Sequence, residues 1–193
     1  MYKKYKLTIL LLFACFLRSD DTLKIDIHKS QFGWIGKKIA GEHSGTIKLL
    51  DGWIVMDGEI PIAGKLTIDM NTIKTTDIKS PEYSLKLDNH LKNDDFFAVD
   101  LFPTSTVEII KVSNGTNKIY YNLLANMMIR GLTHQINIPF QLQNINNNYI
   151  AMGTIEIDRT LFNIKYNSGK YFEGLGDRLI NDFFTINFII YTK

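Results

Sequence analysis

From Leu23 onward, apolar and polar residues alternate, the pattern of strands that bury one face. In "HQINIPFQLQ", Ile136, Ile138, Phe140 and Leu142 fall on one side and Gln135, Asn137, Gln141 and Gln143 on the other. "KLTIDM" sets Leu66, Ile68 and Met70 against Lys65, Thr67 and Asp69, and "FTINFIIY" repeats the phase with Phe184, Ile186, Phe188 and Ile190. The pattern predicts eight strands, over residues 23–36, 44–56, 59–70, 104–113, 118–130, 133–143, 149–158 and 183–192. Turn signals separate several of them: Asp57-Gly58, Asn114-Gly115, Arg130-Gly131 and the tract Asn146-Asn147-Asn148. Neighbours joined this way are antiparallel.

Two stretches leave the pattern. "SPEYSLKLDNHL" offers Ser80 as N-cap, Pro81 at the first helical position, and Leu87 and Leu91 one turn apart, which predicts a short helix over 81–91. It runs into "NDDFFAV", where Asp94 and Asp95 precede Phe96 and Phe97. We expect Asn93 and Asp94 to cap a tight turn, Asp95 to stay in solvent, and the phenylalanines to turn inward and close or line one end of the fold. A second irregular stretch, 159–182, carries Phe162, Tyr166, Tyr171 and Phe172. One short helix cannot cover so many one-sided strands. Either two sheets pack face to face, or one sheet closes into a barrel whose lumen is filled by side chains or holds a small ligand.

The first residues read differently. "MYKKYKLTILLLFACFL" places Lys3, Lys4 and Lys6 before the apolar run Leu7 to Leu17, which is too short to span a bilayer and has the build of a secretory signal. We therefore divide the chain into a signal peptide over 1–19 and a single domain over 20–193. The only cysteine is Cys15, within "LFAC", a lipobox-like sequence. Two processings are open: lipidation at Cys15, which attaches the protein to a membrane, or cleavage near Ser19, which frees it. In either case the domain has no disulfide and no thiol catalyst. Lys and Arg number 22 against 20 Asp and Glu; without Lys3, Lys4 and Lys6, 19 face 20, a net charge of about −1. Such a balance does not point to nucleic acid as a partner. The whole chain is 45% hydrophobic and 12% aromatic, enough for one sizeable core.

Candidate chemistry is sparse. His28, His43, His90 and His134 form no metal-binding pair by spacing, and neither a nucleophile elbow nor a phosphate loop is present. Asp158-Arg159 and Asp177-Arg178 read as structural charge pairs rather than catalytic groups. Lys37, Lys38 and Arg130 suit a phosphate, arginine by its bidentate fork.

Four blocks carry a resemblance. "HLKNDDFFAVDLFPTST", "MMIRGLTHQINIPF", "GWIGKKIAGEHSGTI", and "IDRTLFNIKYNSG" with "GDRLINDFFTINF" are together similar to the signature segments of the YceI-like family, in that family's order. Ala98 departs from the pattern, which more usually has an acid there. The resemblance implies an all-β fold: an extended antiparallel eight-stranded lipocalin-like β-barrel, with one short helix and irregular loops near the barrel mouth. It further implies an exported binding protein rather than an enzyme, in the periplasm or anchored to the outer membrane as a lipoprotein, often a homodimer. The ligand class it implies is a long apolar lipid: a polyisoprenoid such as a quinone or prenyl phosphate, or in some relatives a fatty acid or its amide, with no cofactor required and no metal. A stress-response or interaction protein with a filled core is the alternative. From strand phase and these blocks, the candidates for lumen and mouth are Trp34, Ile47, Ile68, Phe96, Phe97, Phe102, Ile138, Phe140, Ile157 and Phe188. His43 and Arg130 are the candidate head-group contacts.

Overall fold

A computed structural model describes residues 21–115, 119–146 and 148–193. The signal segment and Cys15 lie outside the described residues. The strands are β1 (Asp21–Lys24), β2 (Gln31–Lys38), β3 (Gly41–Asp57), β4 (Ile60–Thr75), β5 (Thr104–Asn114), β6 (Tyr120–Ile129), β7 (Leu132–Ile145), β8 (Asn148–Asp158) and β9 (Ile180–Tyr191), with one helix, α1 (Pro81–Lys92), between β4 and β5. All are antiparallel, and pairing of β3 with β4 closes the sheet. The barrel has eight positions because β1 and β2 share one: β1 pairs with β3 over Trp53–Met56 and β2 over Gly41–Ile47.

That sharing corrects one expectation. The strand predicted over 23–36 is interrupted, because Asp26 Oδ1 accepts the backbone N–H groups of His28 and Lys29 at 3.1 and 3.2 Å. A local Asx-type turn of this kind outcompetes the ladder, which alternation alone does not register. The other elements sit close to their predicted places. The β6–β7 hairpin turns on Arg130 and Gly131, both with positive φ (50° and 71°), the geometry that matches strand twist.

Alternation then sorts the side chains. Ile138, Phe140 and Leu142 are buried on β7, Ile155 and Ile157 on β8, and Ala125, Met127 and Ile129 on β6. They join one continuous core with Phe162 and Ile164, which are fully buried. Register shifts interrupt the β3–β4, β5–β6 and β2–β9 ladders. Such bulges raise local twist and help a sheet curl shut.

The two barrel ends differ. One carries α1, the 93–103 turn, the 159–179 loop and the hairpins at 38–41 and 130–131, and is here called the helix end. The far end carries the hairpins at 57–60 and 145–148, and Tyr149 Oη donates to Gly58 O at 3.2 Å across it.

Candidate functional site

The interior is a cavity of about 250 Å³. Its wall is built from the inward face of every long strand, with Phe32 and Trp34 on β2, Ile47 and Ile54 on β3, Leu66, Ile68 and Met70 on β4, Val107 and Ile109 on β5, Leu123 on β6, Ile138 on β7, Ile155 on β8, and Ile186 and Ile190 on β9 among them. Two glycines, Gly36 and Gly64, stand on this wall without a side chain. Gly45 makes room for Trp34: a Cβ there would stand 2.6 Å from Trp34 Cζ2 and 2.0 Å from Lys74 O. Trp34 Nε1 is buried at this wall and has no hydrogen-bond partner among the described residues.

The helix end is plugged. Asn93 Oδ1 accepts the N–H of Asp95 at 2.9 Å, and Phe96 N–H donates to Asn93 O at 3.1 Å. This tight turn drives Phe96 and Phe97 inward, and both line the cavity. Phe96, His90 and Tyr166 form an aromatic cluster: the His90 ring lies 4.9 Å from Phe96 and 4.7 Å from Tyr166, edge-on to both. Phe97 meets Phe184 of β9 edge-on at 6.1 Å. His90 Nε2 pairs with Asp95 Oδ2 at 3.1 Å, so Asp95 is half exposed but partnered.

Two arginines weld the plug. Arg130 Nη1 donates to the carbonyls of Phe96 at 2.6 Å, Asp94 at 3.1 Å and Asn163 at 3.5 Å. Arg159, only 3% exposed, donates through Nε to Asn181 O, through Nη1 to Ile164 O and Tyr166 O, and through Nη2 to Ile180 O, all at 2.9–3.0 Å. Burial pulls its pKa below the ordinary arginine value, opposed by Asp182 and Asp158; the guanidinium stays charged at neutral pH. The pairing expected between adjacent Asp158 and Arg159 is not the one formed. Neighbours along an extended backbone point apart, so Asp158 turns to Thr160, accepting its N–H and Oγ1 at 2.8 and 2.6 Å, while the acid nearest Arg159 is Asp182 at 3.4 Å.

Asp88 holds α1 against β4. It accepts Lys74 Nζ at 2.8 Å and Thr75 N–H at 2.6 Å. Burial pushes its pKa up, but these bonds and the lysine charge outweigh that and leave it below the usual carboxylate range. Asp77 is depressed in the same sense: burial raises it, but hydrogen bonds from His43 and the Ser44 N–H win.

Of the candidate residues, Trp34, Ile47, Ile68, Phe96, Phe97, Ile138, Phe140, Ile157 and Phe188 stand on the cavity wall. Three lie elsewhere. Phe102 packs over the turn at Gly131, His43 Nδ1 pairs with Asp77 Oδ2 at 2.9 Å, and Arg130 is held by the carbonyls of the plug. From its positive-φ hairpin Arg130 spends one nitrogen, Nη1, on three backbone oxygens of the neighbouring loops. Asp177 and Arg178 lie exposed on the 3-10 turn Gly176–Arg178. His134 meets the Phe162 ring edge-on at 5.2 Å. Among the described residues, no group of three histidine, cysteine or acidic side chains is placed to hold a metal ion.

Comparison with known proteins places this geometry. The model of the YceI-like domain matches residues 23–191. The crystal structure of BcnA from Burkholderia cenocepacia superposes with a TM-score of 0.70 at 17% identity, covering 88% of this chain and 99% of that one. A polyisoprenoid binding domain from Saccharophagus degradans, implicated in plant cell wall breakdown, gives a TM-score of 0.62 at 12% identity, over 88% and 97%. The YceI protein of Campylobacter jejuni gives 0.56 at 16%, over 75% and 82%. No curated protein matches the sequence significantly. At these identities the superpositions speak to the fold.

Proposed function

The chain belongs to the YceI-like family, and from that premise we propose that it binds a long apolar lipid of the polyisoprenoid class in its lumen, as a carrier or store and not as an enzyme. One observation carries the reading: a cavity of about 250 Å³ runs through a closed barrel whose wall is almost wholly aliphatic and aromatic. An empty apolar cavity forfeits the contacts its lining would make, and a hydrocarbon chain restores them, at roughly 0.8 kcal/mol per buried CH₂. The volume lies just under the usual range of about 300–1,000 Å³ for drug-sized ligands. A similar superposing domain is described as polyisoprenoid binding, which supports the same class. The signal-like first residues support export to the cell envelope, with Cys15 as the point at which a lipid would anchor the chain.

The test is direct. Protein purified from its native host without detergent is extracted with organic solvent and the extract read by mass spectrometry. We expect one isoprenoid or acyl species near one per protein. An empty extract, together with failure of the protein to take up a polyisoprenoid quinone from solution, would replace this reading with that of an interaction protein whose core is self-sufficient.

A further inference from the structure

The aromatic plug fills the helix end of the barrel, and the Tyr149–Gly58 hydrogen bond spans the far end. A route for cargo through the wall avoids both. At the seam between β2 and β9 the ladder is interrupted next to the cavity. Gly36 pairs with Phe184 and Lys38 with Ile180, so Lys37 alone stands opposite three residues, 181–183. The bulge is built rather than frayed: Asn181 Oδ1 accepts the Phe183 N–H at 2.9 Å, and Arg159 holds the carbonyls of Ile180 and Asn181 from behind. Gly36 shares the inward face of β2 with Phe32 and Trp34, and a Cβ added there would meet nothing within 4 Å. Asn181 and Phe183 line the cavity and are exposed, Phe183 by 50%.

The surface around this opening is unlike a solvated loop. Ile39 is 62% exposed, Leu161 and Tyr171 each 43%, and Phe172 50%. They come from three segments tied together: Ile39 N–H donates to Leu179 O at 3.3 Å, Lys170 Nζ reaches Thr160 Oγ1 at 3.2 Å, and Lys165 Nζ sits 4.8 Å over the Tyr171 ring. The exposed charges of the rim are Lys37, Lys38, Lys165, Lys170 and Arg178 beside Glu42, Glu173 and Asp177, while the half-buried Asp158 and Asp182 face Lys170 and Arg159. Aromatic and aliphatic tips among basic stems are what an anionic lipid interface accepts: rings enter the headgroup layer while lysines reach the phosphates.

We propose that the β2–β9 bulge is a lateral portal to the lumen, and that the apolar and basic rim around it docks on an anionic phospholipid bilayer. The portal's purpose rests on the lipid-binding reading; the docking does not, and the two fail separately. Docked, the opening faces the acyl layer, so a chain can slide between bilayer and lumen without crossing water.

The experiment places a bimane label on full-length protein carrying Cys15→Ser and one of three reporters: Phe172→Cys, Ile39→Cys, or, at the far end, Ile145→Cys. Vesicles of equimolar phosphatidylglycerol and phosphatidylethanolamine should blue-shift emission at 172 and 39 and leave 145 unchanged, whatever the first residues do. Lys37→Glu with Lys38→Glu should weaken the vesicle-dependent shift at least about tenfold, as should added salt. No shift at 172 and 39, an equal shift at 145, or an equal response to neutral phosphatidylcholine vesicles would overturn the proposal. Docking at 172 with an empty organic extract would leave the surface intact and remove the cargo.

Discussion

The lumen and the plug touch at Phe96 and Phe97, yet they are held together in opposite ways. The lumen wall is aliphatic and aromatic, its contacts are non-directional, and one apolar group can replace another of similar size. The plug is a set of directed bonds: Arg159 on four carbonyls, Arg130 on three, and Asp88 on Lys74 and Thr75. A wall of the first kind accommodates cargo of varied length; a plug of the second kind has one arrangement and resists drifting into the cavity. Directed bonds concentrate at the plugged end and behind the β2–β9 bulge, where one arrangement is fixed.

The largest effect should come from breaking the directed side. Arg159→Leu leaves four carbonyls, one buried and three partly buried, without this donor and Asp182 without its cation. We expect a loss of about 3–5 kcal/mol, read as a lower urea midpoint, with Arg159→Lys recovering only part because an ammonium cannot fork to four oxygens. Full stability in Arg159→Leu would show that the plug, like the wall, is held by packing.

The wall should answer to face rather than to geometry. Ile138 is buried and lines the lumen, while its neighbour Asn137 is exposed. Ile138→Asn sets an amide against hydrocarbon and should destabilise by at least about 1–3 kcal/mol while weakening lipid retention. Asn137→Ile should stay within about 0.5 kcal/mol and leave retention alone. Equal retention in the two folded variants would mean that the lumen does not hold the lipid.

These two regions were unequally legible in the sequence. Alternation in "HQINIPFQLQ" placed Ile138 and Phe140 on the wall because a strand's period of two is set by its own backbone. The turn of Phe96 and Phe97 toward the lumen was readable too, since Asn93 and the acids can only cap or face water. Arg159, Tyr166 and Asp88 gave no such signal. Arg159 and Asp88 have partners 5–23 residues away, several of them backbone oxygens, which carry no sequence identity, and Tyr166 meets His90 and Phe96 from a distant segment. Arg130 likewise meets backbone oxygens that its own stretch of sequence does not announce. The bulge facing Lys37 is a property of the β2–β9 register and is invisible in either strand alone.

A third prediction uses pH to separate the regions, because the wall does not titrate. The Asp88 carboxyl is depressed in the folded protein relative to about 3.9 unfolded. A depressed acid contributes stability that is fully present above the unfolded value and is lost as pH falls through the folded one. Below about pH 4, therefore, α1 should loosen from β4. In Asp88→Asn the fall of melting temperature with acid should be shallower than in the wild type, with Asp77 and Asp26, also depressed, supplying the remainder. An identical slope in both proteins would remove Asp88 as an acid-sensitive clasp.

The smallest effect should come from a directed bond in the wrong place. Asp95 meets His90 at 3.1 Å, a geometry as good as several of the arginine contacts, but its side chain is 50% exposed. Water competes for both partners, and an exposed pair contributes about 0–1 kcal/mol once side-chain ordering is counted. His90 is also held without it, wedged edge-on between Phe96 and Tyr166. Asp95→Ala should therefore shift the urea midpoint by less than about 1 kcal/mol equivalent and leave lipid exchange unchanged. If burial, and not the mere presence of a hydrogen bond, makes the plug rigid, Asp95→Ala and Arg159→Leu must differ by several-fold in their effect on stability. A loss in Asp95→Ala comparable to that in Arg159→Leu would show the rim of the plug, rather than its buried arginine, to be what keeps the barrel shut.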